Sequence, residues 1–124
     1  MKIKCIRLLD SDGRTVESSS WLKLGRVYHV MAWHVEADGQ KFFKIISNEP
    51  KGEWPQLGNY PVDCFEVVSA IIPSNWQQWV YGGAYGQSPE SWQAAGFYDA
   101  FFDHEPTAYE IFDRERVTIV REDP

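Results

Sequence analysis

The chain has 124 residues, of which 18 are Asp or Glu and 12 are Lys or Arg, so its formal net charge is −6. This length is typical of a single domain, and a composition of 44% hydrophobic and 24% charged residues indicates a globular protein. An acidic chain repels phosphate, so the composition argues against a general nucleic-acid-binding protein and permits a basic protein partner.

The first part of the chain has the pattern of short strands joined by tight turns. Residues 2–9 alternate loosely between apolar and polar side chains and predict a strand, which an Asp-Gly turn follows. Residues 26–35 are rich in β-branched and aromatic side chains and predict one long strand with both faces covered.

Turn and loop residues mark the next two predicted strands. An Asp-Gly pair within residues 36–40 predicts a hairpin loop, from which the chain returns along a strand at 41–46. Residues 47–60 are rich in Pro, Gly and Asn and predict a loop, and residues 62–68 alternate as a further strand. Several short strands at this spacing indicate a small barrel or a curled sheet.

The character of the chain changes after Pro73. Residues 74–81 fit either a short strand or one helical turn, and the glycine-rich segment 82–86 is expected to hold little regular structure. The sequence Ser-Pro-Glu at 88–90 is typical of a helix start, and it predicts a helix that ends near Ala95.

The end of the chain is predicted to be helical and then extended. Residues 97–103 predict a second turn or helix, a helix from Pro106 runs to about Arg114, and residues 117–120 have the composition of a last strand.

The predicted fold class is therefore α+β. A small antiparallel β-barrel or curled sheet is followed by two or three short helices and a final strand. The whole chain, residues 1–124, is expected to be one domain, with a β-rich part at 1–72 and an aromatic connector with an acidic helical region at 73–124.

The acidic excess is confined to the end of the chain. Residues 1–87 contain nine acidic and nine basic residues and carry no net charge. Residues 88–124 contain nine acidic residues and only Arg114, Arg116 and Arg121, so they carry the whole excess. Such a segment is suited to contact a basic protein surface.

The chain shows no signal for export or membrane insertion. Residues 1–7 are interrupted by charges and lack the apolar run of a secretory signal. Residues 67–89 carry no charge, but Pro73, polar side chains and glycines interrupt them too often for a membrane span. We therefore expect Cys5 and Cys64 to be reduced thiols, and the predicted location is cytoplasmic.

The sequence contains no pattern of catalytic or metal-binding residues. His29 and His34 would lie on opposite faces of a strand, and His104 has no second histidine at a metal-binding spacing. Cys64 has no neighbour in sequence that would activate its thiol, and residues 82–86 lack the lysine of a phosphate-binding loop. We therefore predict no metal, no cofactor and no nucleophilic enzyme.

Two pairs of carboxylates have helical spacing. Asp99 and Asp103 are four residues apart, and Glu110 and Asp113 are three apart, so each pair would share a helix face. A solvated acidic surface, a catalytic pair and a docking patch for a basic partner are all compatible with this pattern.

The uncharged stretch concentrates aromatic residues. Trp76, Trp79, Tyr81 and Tyr85 fall within it, and Trp92 follows shortly after. Aromatic side chains anchor many protein interfaces, but the core of a single domain uses them as well. The sequence leaves both roles open for these residues.

Some segments resemble known families. The runs Leu-Gly-Arg-Val-Tyr-His-Val at 24–30, Phe-Lys-Ile-Ile at 43–46 and Pro-Val-Asp-Cys-Phe-Glu-Val-Val at 61–68 resemble strands of a small SH3-like barrel. Residues 92–103 are similar to segments of small bacterial immunity proteins, which neutralise polymorphic or contact-dependent toxins. The resemblance implies an SH3-like fold, a non-enzymatic function and a toxin as the partner.

The first hypothesis is thus an immunity protein that occludes the active site of a cognate toxin with a basic surface. The acidic helical end would contact the toxin, and aromatic side chains would anchor the contact. The predicted partner-binding residues are Trp76, Trp79, Tyr81, Trp92, Asp99, Asp103, Glu105, Glu110 and Asp113.

Two other hypotheses use different residues. An SH3-like adaptor would bind a peptide in an aromatic groove formed by Tyr28, Trp33 and Trp54. A small hydrolase or lyase would use one of the two carboxylate pairs as acid and base. Neither nucleic acid nor a membrane is expected as a partner, and the sequence does not decide the oligomeric state.

Overall fold

The computed structural model describes residues 1–49 and 51–124, which form the predicted α+β fold. The strands are β1 (Lys2–Cys5), β2 (Leu8–Leu9), β3 (Thr15–Val16), β4 (Val27–His29), β5 (Ala32–Val35), β6 (Lys41–Ile46), β7 (Leu57–Pro61), β8 (Phe65–Ser69), β9 (Trp76–Tyr81) and β10 (Ala84–Pro89). The α-helices are α1 (Phe97–Phe102) and α2 (Pro106–Glu122), and short 3₁₀ helices lie at Val62–Cys64 and Glu90–Gln93.

The strands pair antiparallel in three sheets. One sheet has the order β4-β1-β8, a larger one has the order β7-β6-β5-β10-β9, and β2 pairs with β3. The larger sheet leaves β7 and β9 at its edges, so the strands of the described residues form open sheets and no closed barrel. The prediction of an antiparallel sheet followed by helices is confirmed, in its curled-sheet rather than its barrel form.

The five-stranded sheet separates two hydrophobic clusters. Ile45 on β6 belongs to the cluster that also holds Ile3 of β1, Phe65 of β8 and Trp76. Ile46, the next residue of β6, packs against the cluster built mainly by the helices. Because successive side chains of a strand point to opposite faces, one face of this sheet covers the small sheet and the other face covers the helices.

The predicted long strand at 26–35 is divided into β4 and β5. The backbone N–H of Val30 donates to the carbonyl of Met1, whereas that of Met31 donates to the carbonyl of Lys44. Val30 and Met31 are both buried, but in different clusters. The chain therefore passes from the small sheet to the large one between these two residues, which the sequence alone did not indicate.

Of the strands predicted at 41–46 and 62–68, the structure confirms the first and shortens the second. The first is confirmed as β6, with the preceding hairpin loop. In the second, Val62–Cys64 forms a 3₁₀ helix and the strand begins only at Phe65. The last residues of the predicted loop at 47–60 instead belong to β7, which begins at Leu57 and pairs with β6.

The glycine-rich segment is the turn of a regular hairpin. β9 and β10 pair in register from Tyr81 with Ala84 to Trp76 with Pro89, joined by Gly82 and Gly83. Both glycines have positive φ, as the two central residues of a type I′ turn require. The expectation of little regular structure at 82–86 is therefore wrong, because the glycines make the turn that aligns the two strands.

The predicted helix start at 88–90 is also wrong. Ser88 and Pro89 are buried at the end of β10, and no side chain caps the 3₁₀ helix at Glu90–Gln93. Pairing with Gln77 and Trp76 outweighs the local helix-start preference.

The last helix begins at Pro106 as predicted but extends to Glu122. The predicted final strand at 117–120 is wrong, because these residues form the last turns of α2. Ala108, Phe112 and Ile119 are buried on one face of this helix. Their spacing of four and seven residues is helical, so packing against the core overrides the β-propensity of the valines and isoleucine.

The chain ends meet at a buried carboxylate. Asp123 accepts a hydrogen bond from Ser69 Oγ at 2.7 Å and lies 2.9 Å from the amino group of Met1. Burial raises the pKa of Asp123, but the contacts with Met1 and Ser69 outweigh it, so the pKa lies below its ordinary value. Cys5 and Cys64 are buried free thiols.

Candidate functional site

β9 is an edge strand whose sequence is unprotected. It pairs only with β10 and reads Trp-Gln-Gln-Trp-Val-Tyr, without charge or proline. In a two-residue hairpin the residues flanking the turn form a hydrogen-bonded pair, so the backbone groups of Gln78 and Val80 point away from β10. Natural edges are usually blocked by charge, proline or a bulge, so β9 presents an open site for another strand.

The side chains at the end of β9 are the most exposed apolar ones of the described residues. Val80 is 73% exposed and Tyr81 is 83% exposed. The opposite edge strand, β7, instead ends in Pro61. Of the two edges of the large sheet, β9 is therefore the one that exposes large apolar side chains and contains no proline.

A cleft of about 530 Å³ lies beside β9, between the sheet and the segment that leads into α1. Ala32, Lys44 and Ser88 line its sheet side, and residues 92–99 line most of the opposite side. Ala32 lies directly beside Lys44 in the register of β5 and β6. The small side chains Ala32 and Ser88 leave the space that the cleft occupies, and this volume is within the usual range of ligand pockets.

An aromatic row bounds the cleft on the same face of the sheet. The ring of His34 stacks on Phe42 with centroids 5.2 Å apart and lies 6.4 Å from the ring of Trp79. Gly86 separates His34 from Trp79 in the register of the sheet. A Cβ at Gly86 would collide with the backbone of Trp33 and His34. Only glycine permits this close approach.

Lys44 is a half-buried cation without a carboxylate partner. None of the ion pairs formed by the described residues includes it. Its Nζ lies 3.7 Å from the ring centroid of Tyr98, in cation–π contact. Burial lowers the pKa of Lys44 from its ordinary value of 10.5 to about 8 and raises the pKa of Tyr98 to about 12.

Trp92 lines the cleft and holds a buried indole N–H. The residue is 1% exposed and stacks on Phe112 with ring centroids 4.9 Å apart. Its indole N–H has no acceptor among the residues that the structure describes. A buried N–H without an acceptor costs about 1–3 kcal/mol, so the indole N–H of Trp92 is a donor that the described residues leave unsatisfied.

The carboxylates in residues 88–124 are of two kinds: some contact other groups of the protein, and the rest are exposed. Four carboxylates make internal contacts: Asp113 pairs with Arg116, Glu115 with Arg114, Glu122 accepts from Ser74, and Asp123 is buried. The other five are exposed and belong to no ion pair of the described residues. We call these five the acidic segment: Glu90, Asp99, Asp103, Glu105 and Glu110.

The acidic segment lies in a part of the chain that has no compensating bases. Residues 52–113 contain nine acidic residues and neither Lys nor Arg. Asp99 also lines the cleft together with Trp79, Val80 and Tyr81. Asp99 therefore places one carboxylate of the acidic segment next to the open edge.

The predicted partner-binding residues fall into three groups. Trp76 and Trp92 lie in the hydrophobic interior, where Trp76 donates its indole N–H to the carbonyl of Met31. Trp79 and Tyr81 lie on β9 and line the cleft. The carboxylates Asp99, Asp103, Glu105 and Glu110 are exposed, and Asp113 is engaged with Arg116.

The residues of the two other hypotheses are placed as follows. Tyr28 is buried in the first cluster, Trp33 packs against that cluster, and Trp54 packs against the second, where it stacks on His104. The sheet therefore separates Trp54 from the other two. For the carboxylate pairs, both groups of Asp99 and Asp103 are exposed.

Sequence reasoning missed Lys44 and Val80. Lys44 lies on the same face of β6 as Phe42 and Ile46, because residues two apart in a strand point the same way. It therefore occupies an inward position of a strand that was correctly predicted. A lysine on the apolar face of a strand was the available signal. Val80 had no such signal, because the edge position of β9 depends on the pairing order of the sheet.

Neither a metal cluster nor a membrane-spanning helix is found in the described residues. No three His, Cys, Asp or Glu side chains are grouped to hold a metal ion. No helix in 1–49 or 51–124 combines the length and apolarity that crossing a membrane requires. No protein-family model, no curated protein and no solved structure matches this chain.

Proposed function

We propose that this chain is a non-enzymatic binding protein whose partner is a basic protein. In its most specific form, it is an immunity protein that covers the active site of a cognate bacterial toxin. The observation that carries the proposal is the open, uncharged edge of β9, next to a cleft that Asp99 of the acidic segment also lines.

The edge supplies main-chain recognition. A partner strand laid against β9 would bond with the outward backbone groups of Gln78 and Val80, as in β-strand addition. Its side chains would contact Tyr81 and Val80, which are the apolar groups that such a contact would bury. Burying exposed apolar side chains contributes roughly 25 cal/mol per Å² of area removed from water.

The acidic segment supplies charge recognition. Exposed carboxylates without internal partners attract a basic surface, speed its association and disfavour acidic partners. In a nuclease toxin, basic residues bind the phosphates of the substrate. Carboxylates seated there would occupy the positions of those phosphates, so the proposed mechanism is occlusion.

The experiment is co-expression with the protein encoded beside the gene for this chain. We expect the two proteins to copurify and the toxicity of the neighbour to be suppressed. Raising the salt concentration should weaken the complex, because exposed charges are screened beyond a distance of about 10 Å at 0.1 M salt. If the two proteins do not bind each other and the toxicity is not suppressed, the proposal is refuted.

Two variants of β9 separate backbone recognition from side-chain recognition. Val80→Pro removes an outward N–H without removing a bond of the β9–β10 ladder, and we expect it to abolish binding. Val80→Ala keeps the N–H and is the matched control, for which we expect a smaller loss. Equal binding by Val80→Pro and the wild type would exclude strand addition at this edge.

A further inference from the structure

The cleft beside β9 contains groups that the proposed strand addition does not use. Lys44 carries a cation at a half-buried position with no carboxylate partner. Trp92 lines the same cleft with its aromatic ring. A charge held away from water without a partner is costly, so an anion that pairs with Lys44 would relieve that cost.

We propose that this cleft binds a small organic acid, namely a carboxylate attached to an aromatic or other flat apolar group. The carboxylate would pair with the ammonium of Lys44. The apolar group would lie between Ala32 on the sheet and the aromatic side chains Phe97 and Trp79. This site goes beyond the proposed function, since it requires neither the free edge of β9 nor a protein partner.

The charges around the cleft favour an anion beside the half-buried Lys44. The titratable residues that line it are His34 from β5, Lys44 from β6, Tyr81 from β9, and Tyr98 and Asp99 from α1. Asp99 is exposed, where solvent screens its charge, and Lys44 is the only Lys or Arg of the lining. Tyr98 packs its ring against the ammonium and leaves the cation without a counter-charge.

The apolar character of the ligand follows from the walls. Apolar side chains predominate around Lys44, with Trp33, Trp79 and Trp92 as the largest. A hydrated inorganic anion would gain little from these surfaces, whereas a flat apolar ring would fill the cleft and displace water from them. The site therefore selects an acid with an apolar body over phosphate or sulfate.

The test is titration of the whole protein with 2-naphthoate, followed by calorimetry and amide NMR shifts. 2-Naphthamide is the uncharged control, and N-acetyl-tryptophan represents the C-terminal residue of a peptide. We expect 2-naphthoate to bind, and to bind about tenfold or more tightly than the amide, as loss of a charge-assisted hydrogen bond implies. If N-acetyl-tryptophan binds more tightly than 2-naphthoate, the carboxylate that the cleft recognises is the C-terminus of a peptide.

Variants locate the site. Lys44→Met should lose the preference for naphthoate over the amide, and Lys44→Arg should retain part of it. Lys41→Met, an exposed lysine of the same strand, should bind like the wild type. Equal affinity for acid and amide, or unchanged naphthoate binding by Lys44→Met, would overturn the proposal.

Asp99→Asn separates this site from the proposed partner surface. Removing the carboxylate at the mouth of the cleft should strengthen naphthoate binding, because it removes a like charge. The same variant should weaken binding of a basic protein partner. The two proposals therefore fail independently.

Discussion

Replacing Lys44 by Met should stabilise the protein, which is unusual for a substitution at a half-buried position. The pKa of Lys44 falls from 10.5 to about 8 through burial. Each pKa unit corresponds to about 1.4 kcal/mol, so the protonated native state at pH 7 is disfavoured by about 3 kcal/mol. The contact with the Tyr98 ring, worth up to about 2 kcal/mol, is lost in the variant and reduces the gain. We expect Lys44→Met to be more stable by about 1–3 kcal/mol at pH 7.

The gain should depend on pH in a defined direction. Between pH 8 and 10.5 the unfolded chain still binds the proton of Lys44, but the native protein has released it. The stability of the wild type therefore rises with pH across this window relative to the variant. The advantage of Lys44→Met should be fully present below pH 8 and shrink towards pH 10.5.

Urea denaturation of both proteins at several pH values measures this difference. Lys41→Met is the control, because it removes an exposed lysine from the same strand. A variant that is less stable than the wild type at pH 7, or a difference independent of pH, would refute the reasoning about Lys44.

Other predictions concern the turn region, the chain ends and Tyr98. Gly86→Ala should lower the free energy of unfolding by about 2 kcal/mol or more in urea denaturation, because the added Cβ collides with backbone; an unchanged value would contradict the tight approach. Asp123→Asn should cost about 1–2 kcal/mol at pH 7. Because the pKa of Asp123 is lowered, this cost should vanish as the pH falls below about 4, and a constant cost would contradict the assignment. At pH 11, Tyr98→Phe should leave the tyrosinate absorbance nearly unchanged, since the pKa of Tyr98 is about 12; a clear fall in this absorbance would contradict the raised pKa.

The sequence predicted the elements that local patterns determine. Strand β6 and the start of α2 at Pro106 follow from a turn pair and from proline at a helix start, and both are confirmed. The final strand was wrong because the valines near residue 117 belong to a helix whose face is set by distant core residues. The division at Val30 was missed because it depends on two different sheets.

The candidate site depended even more on tertiary structure. Charge counting located the acidic end, but only the ion pairs show which carboxylates remain free. The aromatic residues Trp76 and Trp79 look alike in sequence, yet the first is buried and the second lines the cleft. Which strand forms the edge follows from the pairing order of the sheet, and no local pattern encodes that order.

The most direct test of the central claim is amide hydrogen exchange of β9 in the free protein and in complex with the neighbouring gene product. The N–H groups of Gln78 and Val80 should exchange rapidly in the free protein, because they point away from β10. In the complex, we expect both to be strongly protected, together with slower exchange around Asp99. Protection confined to other surfaces, with β9 unchanged, would contradict strand addition at this edge.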